Sequence, residues 1–200
     1  MTWAPDYLTL PEAKLYLGVT DAVDDAQITG WITAASRAID KRCNRQFGSL
    51  AAPAARTYRR VPYYDPASGL WVLDIDDLQS STGLTVNGVA YASSGAVLLP
   101  DNAPADGRPW TAVGFIIQPF PQAPGVPQSN VLVAPWGWTA VPAQVPMAAK
   151  LQISRWNSRR DSPYGVAGSP EQGSEMRLLA RLDPDVATTL AGLSRRRKVG

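Results

Sequence analysis

The feature that most constrains this chain is a change of hydrophobic period along it. Ile28, Trp31, Ile32, Ala35, Ile39 and Cys43 recur at the i, i+3, i+4, i+7 spacing of one buried helix face. Arg37, Asp40, Lys41 and Arg45 fall largely on the other side, and Asn44 to Gly48 ends the pattern. From about Arg56 it gives way to short alternating or β-rich runs broken by Gly, Pro and Asn. Helical spacing returns after Trp136-Gly137-Trp138. From Ala143 to about Arg160, Val145, Ala148, Ala149, Gln152, Ile153 and Trp156 line one face, while Met147 and Leu151 make the helix apolar on more than one side. A helix of that kind is covered from two directions, by its own core and by a neighbour.

The pattern predicts an α+β fold: a small helical bundle of two N-terminal helices, one long central helix and one C-terminal helix, carrying a β-rich insertion. Residues 1–48 and 139–162 form the helical core and 49–138 the insertion. Residues 163–200 form a C-terminal extension with a short helix and a basic tail. Neither helical segment can bury its apolar face alone, so the two must pack together. At 200 residues and 45% hydrophobic composition, with seven tryptophans, the chain can bury a real core, either as a single compact domain or as a small domain in two halves.

Local signals refine this outline. Thr9-Leu10-Pro11-Glu12 is a capping box that opens the first helix, and Gly18 closes it. Asp24-Asp25-Ala26-Gln27 caps the second in the same manner, its carboxylates at the positive end of the dipole. Candidate strands are Thr57–Tyr64, Leu70–Ile75, Val97–Leu99, Val113–Gln118 and Val131–Ala134. A hairpin is expected where Asn87-Gly88 separates Leu84-Thr85-Val86 from Val89-Ala90-Tyr91, because Asn-Gly supplies both positive-φ residues of a type I′ turn. Four prolines between Pro119 and Pro127 exclude an interior strand and predict a stiff projecting loop over 119–128. Asp183-Pro184-Asp185 opens the last helix, with Val186, Leu190 and Leu193 on its apolar side.

Chemistry is sparse. The chain has no histidine, the commonest general base near neutrality and the commonest metal ligand. Its single cysteine, Cys43, permits neither an internal disulfide nor a thiolate zinc site and follows the helical pattern as a small apolar residue. Asp74-Ile75-Asp76-Asp77 is the densest acid cluster; without the glycine and distal glutamate of a calcium loop, it is expected to end a strand and solvate a turn. There is no Gly-x-Ser-x-Gly and no phosphate-binding glycine loop. No catalytic residue, cofactor site or metal site is expected, and the chain is not expected to be an enzyme. Trp136 and Trp138 are expected to serve core and inter-subunit packing rather than ligand stacking, with at least one in the core. The first twenty residues have no signal-peptide pattern, and no apolar run reaches the roughly 18 to 20 residues of a membrane span. The expected setting is a soluble protein made in the cytoplasm.

Net charge is +2, unevenly placed: residues 145–200 hold ten cations against five acids, ending in Arg195, Arg196, Arg197 and Lys198. Without interleaved aromatics that run is a weak nucleic-acid signal and reads as a solvated or partner-docking tail. Arg155, Arg159 and Arg160 make a basic edge on the long helix that reads as solvated or facing a partner, with DNA as the alternative.

Taken in order, the motifs resemble phage head-to-tail adaptor (head-completion connector) proteins. The resemblance is carried by Tyr7-Leu8-Thr9-Leu10-Pro11-Glu12-Ala13-Lys14-Leu15-Tyr16-Leu17-Gly18, by Asp24-Asp25 with a helix ending Cys43-Asn44-Arg45-Gln46-Phe47, and by Trp136-Gly137-Trp138-Thr139-Ala140-Val141-Pro142 before a long helix. Arg159-Arg160-Asp161-Ser162-Pro163-Tyr164-Gly165-Val166 and Asp183-Pro184-Asp185-Val186 resemble the C-terminal region of longer members from phages of actinobacteria. The resemblance implies a structural subunit of the virion neck. Copies form a ring, expected to be twelvefold, under the portal; the ring extends the DNA channel and offers a surface to a stopper or tail-completion protein. Packaged duplex passes through without sequence-specific binding. It also implies portal contacts at Tyr164, Gly165, Arg195, Arg196, Arg197 and Lys198 and inter-subunit packing through Met147, Leu151 and Trp156. Two rivals stand beside it: a stopper or tail-terminator subunit, which should lean more on β structure, and a DNA-binding accessory protein using Arg155, Arg159, Arg160 and the terminal run.

Overall fold

The structure, a computed structural model, describes residues 4–59, 61–117, 129–160, 166–167, 176–177 and 184–195. The chain is α+β and divides into two compact units, one formed by Met1–Gln46 with Val141–Gly200 and the other by Phe47–Ala140.

In the helical unit, α1 (Leu10–Leu17) begins as its capping box dictates. The Glu12 carboxylate accepts from the Thr9 backbone N–H at 2.8 Å and from the Thr9 hydroxyl at 2.7 Å. Gly18 ends the helix at φ 71°, a left-handed conformation that costs glycine little. Helix α2 (Asp25–Cys43) buries Ile28, Ile32, Ala35, Ser36, Ile39 and Cys43, the predicted stripe with Ser36 added and Trp31 only half-buried. Its start differs from expectation. Asp24 lies at φ −97°, ψ 7°, not the extended conformation that turns an N-cap side chain onto the helix N–H groups, and it makes no cap hydrogen bond. Its carboxylate accepts from Arg160 Nη1 at 2.8 Å instead. Helix α3 (Gln144–Arg160) buries Val145, Ala148, Ala149, Gln152 and Ile153 and contacts α1, α2 and α4 (Pro184–Thr189), whose Val186 is buried together with the following Leu190.

The β unit holds two four-stranded antiparallel sheets. One has the order β1 (Ala54–Tyr58), β8 (Asn130–Ala134), β4 (Thr85–Val86), β5 (Val89–Ala90); the other β2 (Tyr63–Asp65), β3 (Leu70–Leu78), β7 (Trp110–Phe115), β6 (Ala96–Leu99). The β4–β5 turn is as predicted, with Asn87 at φ 51° and Gly88 at φ 82°. The predicted strand Thr57–Tyr64 is in fact two, in different sheets; Pro62, between them, has no N–H to donate to a continuous ladder. Strand β7 is displaced toward the N-terminus from the expected Val113–Gln118, and its ladder ends at Phe115. Strand β3 outruns the expected Leu70–Ile75 to reach Leu78 through an irregularity after Asp74. Leu73, Ile75, Leu78, Leu98, Val113 and Phe115 of one sheet pack with Leu84, Val86, Leu132, Ala134 and Trp136 in a single core cluster. A two-residue ladder, β9 (Val166–Ala167) with β10 (Met176–Arg177), falls in the C-terminal extension, where the sequence reading places no strand.

The segments that enter and leave the β unit pair at Gly137, which forms an antiparallel bridge with Ser49. Leu50 N–H donates to the Trp136 carbonyl at 3.0 Å and Trp138 N–H to the Gly48 carbonyl at 2.8 Å. Gly137 sits at φ 115°, and a Cβ there would lie 2.0 Å from the Gly48 oxygen. Gly137→Ala therefore combines backbone strain with overlap and is expected to cost roughly 3 kcal/mol or more. Gly30, exposed within α2 with nothing within 4 Å of a built Cβ, makes the contrast: Gly30→Ala should stabilise by about 1 kcal/mol. Thermal melts of the two variants should move in opposite directions from wild type.

Candidate functional site

The acid cluster is not a solvated turn. Asp74, Asp76 and Asp77 lie within β3. Asp76 is bound by Arg56 Nη1 at 2.8 Å and by the Tyr58 hydroxyl at 3.2 Å, and its own N–H donates to that hydroxyl at 3.1 Å. Burial, then the Asp76 charge, push the Tyr58 phenol far above its usual range, so it stays a neutral donor. Asp77 is 6% exposed and accepts from Trp138 Nε1 at 3.0 Å. Trp136 donates Nε1–H to the Ala54 carbonyl at 2.7 Å and lies under the Arg56 guanidinium, 4.7 Å from its ring centroid. Both tryptophans are buried, because the turn at Gly137 bends the chain so that alternation does not expose either. Asp76, Asp77 and both rings are thus engaged within the β unit. Among the described residues no three His, Cys, Asp or Glu side chains group as metal ligands, and no helix is long and apolar enough to cross a membrane.

In the helical unit, Pro5 to Tyr7 lie along one row of α2. Thr33, Ser36, Arg37 and Asp40 stand at i, i+3, i+4 and i+7, and each binds this segment. The Thr33 hydroxyl donates to Asp6 at 3.0 Å, and Tyr7 N–H donates to the Ser36 hydroxyl at 3.0 Å. Arg37 donates to the Pro5 carbonyl, and the Tyr7 hydroxyl donates to Asp40. The helical pattern places Arg37 and Asp40 on the solvent side; the N-terminal segment covers them. Cys43 is fully buried, and that burial pushes its thiol up, away from the reactive thiolate.

The predicted assembly residues fall in three groups. On α3, Met147 is 43% exposed and Leu151 half-buried, both opposite the Val145–Ala149 side by helical spacing; Trp156 is half-buried on the core side. Arg155 and Arg159 are half-buried, and Arg160 is committed to Asp24 and, at 3.3 Å, to Gln27. At the C-terminal end, Arg195 N–H donates to the Cys43 carbonyl at 2.8 Å, so its backbone helps to cap α2. Tyr164, Gly165, Arg196, Arg197, Lys198 and the 119–128 loop lie outside the described residues. The sequence reading missed the exposed apolar residues Leu15 (85%), Val23 (87%), Ile116 (70%) and Ile117 (80%). Ile116-Ile117 carried a readable signal: consecutive apolar residues in an alternating strand place at least one outside.

Asp40 makes stability depend on pH. Burial raises its carboxyl above the usual 3.8, outweighing the Tyr7 hydrogen bond and the Arg37 charge, which act downward. A folded pKa above the unfolded one makes ionisation unfavourable to folding. The penalty is absent below 3.8, grows as pH rises through the raised value, and is complete above it. Asp40→Asn keeps an acceptor for Tyr7 without the charge. In chemical denaturation, its stability relative to wild type should improve steadily as pH rises across that window; a difference that shrinks would contradict the assignment.

Residues 7–68 match the family of "Phage gp6-like head-tail connector protein". Two chains in solved particles are also similar to this one. One is "Virion of native gene transfer agent (GTA) particle", at 20% identity over 92% of this chain and 97% of that one, with a TM-score of 0.47. The other is "Neck of empty GTA particle computed with C6 symmetry", at 19% identity over the same shares, with a TM-score of 0.43. A comparison with curated proteins gives no match. The matched segment runs from Tyr7 through β2 and contains the capping box, α1, α2 and the Cys43-Asn44-Arg45-Gln46-Phe47 corner.

Proposed function

We propose that this chain is a structural subunit of a virion neck. Its copies form a ring, expected to be twelvefold, that docks under the portal, extends the DNA channel and carries the attachment surface for a stopper or tail. The connector-family match over residues 7–68 carries this reading. The chemistry agrees with it: Asp76, Asp77 and the Trp136/Trp138 pair are bound internally. A closed ring needs two different complementary patches on each subunit. Met147 and Leu151 on the outer side of α3 supply one, beside the half-buried Arg155 and Arg159; Trp156 supports that helix from the core side. Tyr164, Gly165 and the run from Arg195 to Lys198 are assigned to the portal. Ring-on-ring docking multiplies weak contacts, so none of these needs to be a tight anchor.

Electron microscopy of the protein mixed with its phage's portal ring, against the portal alone, tests the reading. Added density of matching symmetry beneath the portal is expected; protein found instead on tail tubes would favour the stopper or tail-completion role. Met147→Asp, at an exposed position, should leave the melting temperature of the free subunit unchanged while reducing ring density on the portal.

A further inference from the structure

In the β4–β5 turn we infer a modification site: Asn87 is open to deamidation through Gly88, and strand β8 holds it against that reaction. Asn87-Gly88 is the one Asn-Gly pair in the sequence, and both residues are exposed, within reach of solvent water. The dipeptide sets the intrinsic reactivity. The backbone nitrogen of Gly88, once deprotonated, attacks Asn87 Cγ; the Cγ–Nδ2 bond breaks and ammonia leaves. Water then opens the resulting succinimide at one carbonyl or the other, giving aspartate or isoaspartate. Glycine is the most permissive successor, because it puts no Cβ beside the attacking nitrogen and leaves the backbone free to bend into the ring.

Tertiary structure sets the restraint. Asn87 makes three hydrogen bonds to the start of β8. Its N–H donates to the Val131 carbonyl at 2.8 Å, its Oδ1 accepts from the Val131 N–H at 2.9 Å, and its Nδ2 donates to Asn130 Oδ1 at 2.9 Å. The pairing of β4 with β8, Thr85 with Val133 and Val86 with Leu132, would next set Asn87 against Val131. In a regular antiparallel ladder such a pair can exchange backbone bonds in both directions. At φ 51° the Asn87 backbone has turned into the hairpin, and its side-chain carbonyl takes the Val131 N–H in place of a backbone one. Both ends of the amide are engaged, so Cγ cannot swing onto the Gly88 nitrogen without releasing them.

Asn130 is fully buried, so its Oδ1 is a fixed acceptor for Asn87. Reaction at Asn87 replaces the Nδ2 donor by an oxygen facing that acceptor, and isoaspartate also lengthens the backbone within the turn. Leu84 and Val86 before the turn and Leu132 on β8 belong to the core cluster of the β unit, so damage to the turn reaches the core. The site is a chemical weak point guarded by the pairing of β4 with β8. It lies within one subunit, and its failure would leave the neck reading intact.

Peptide mapping by mass spectrometry, on the full chain incubated at mildly alkaline pH well below its melting temperature, tests the inference by following aspartate and isoaspartate at residue 87. Wild type unfolded in guanidinium chloride should convert roughly tenfold faster than the folded protein, as expected for releasing two hydrogen bonds. Folded Asn130→Ala, which removes the acceptor for Nδ2, should convert about fivefold faster than folded wild type. Asn44, also at positive φ but followed by Arg45, should stay intact under all these conditions. Equal rates at residue 87 in folded and unfolded wild type, or a folded Asn130→Ala no faster than wild type, would overturn the restraint. Conversion of Asn44 as fast as Asn87 in the unfolded chain would overturn the site. Should Asn130→Ala fail to fold, the folded and unfolded wild type still decide.

Discussion

The β unit depends on the antiparallel pairing of the segments that enter and leave it, at Gly48–Leu50 and Trp136–Trp138. Two backbone hydrogen bonds there, Leu50 to Trp136 and Trp138 to Gly48, hold the ends of the unit together. Only a residue without a Cβ allows the approach. The flanking tryptophans are fixed by the same pairing. Trp136 is drawn into the core against Ala54 and Arg56, and Trp138 onto Asp77 and the Phe47 ring, 5.2 Å away. The acid at Asp77 is thus a partner for an indole N–H that would otherwise be buried without one, and hydrogen bonds to charged acceptors are among the stronger ones available inside a protein.

In the helical unit the corresponding centre is α2. One row of its residues holds the Pro5–Tyr7 segment, its apolar face meets α1 and α3, and its last carbonyls receive Ser194 and Arg195. Lys14 and Arg160 clamp its first turn from α1 and α3, through Asp25 at 2.6 Å and Asp24 at 2.8 Å. Those carboxylates look like capping groups in the sequence but act as docking points between helices.

This substitution of roles marks how far the sequence could be read. Periodicity located α2 and α3, since Ile28–Cys43 and Val145–Ile153 repeat at a spacing that a buried helical face explains, while α1 was legible from its capping box and Gly18. The Asn87-Gly88 turn was legible because the backbone conformation demands those residues. Strand ends were not. Tyr58, Phe115 and Leu78 end their ladders through pairing with distant partners, and local sequence carries no record of that. Polar residues were misplaced for a related reason. Arg37, Asp40, Asp76 and Asp77 look solvated in one dimension and are covered by segments remote from them. The candidate assembly residues on α3 could be named from its second apolar side, whereas nothing local in the sequence records that Ser194 and Arg195 return to the last carbonyls of α2.

The closed base of the β unit also bears on how the chain folds. Joining α2 to α3 across an unstructured loop of about 90 residues would cost about 4 kcal/mol in closure entropy. Once the pairing at Gly137 has formed, the two ends of that loop are already neighbours, and most of the cost has been met within the β unit itself. Long-range helix pairing then becomes kinetically local. A β unit that forms first acts as a folding template for a helical unit whose halves lie far apart in sequence.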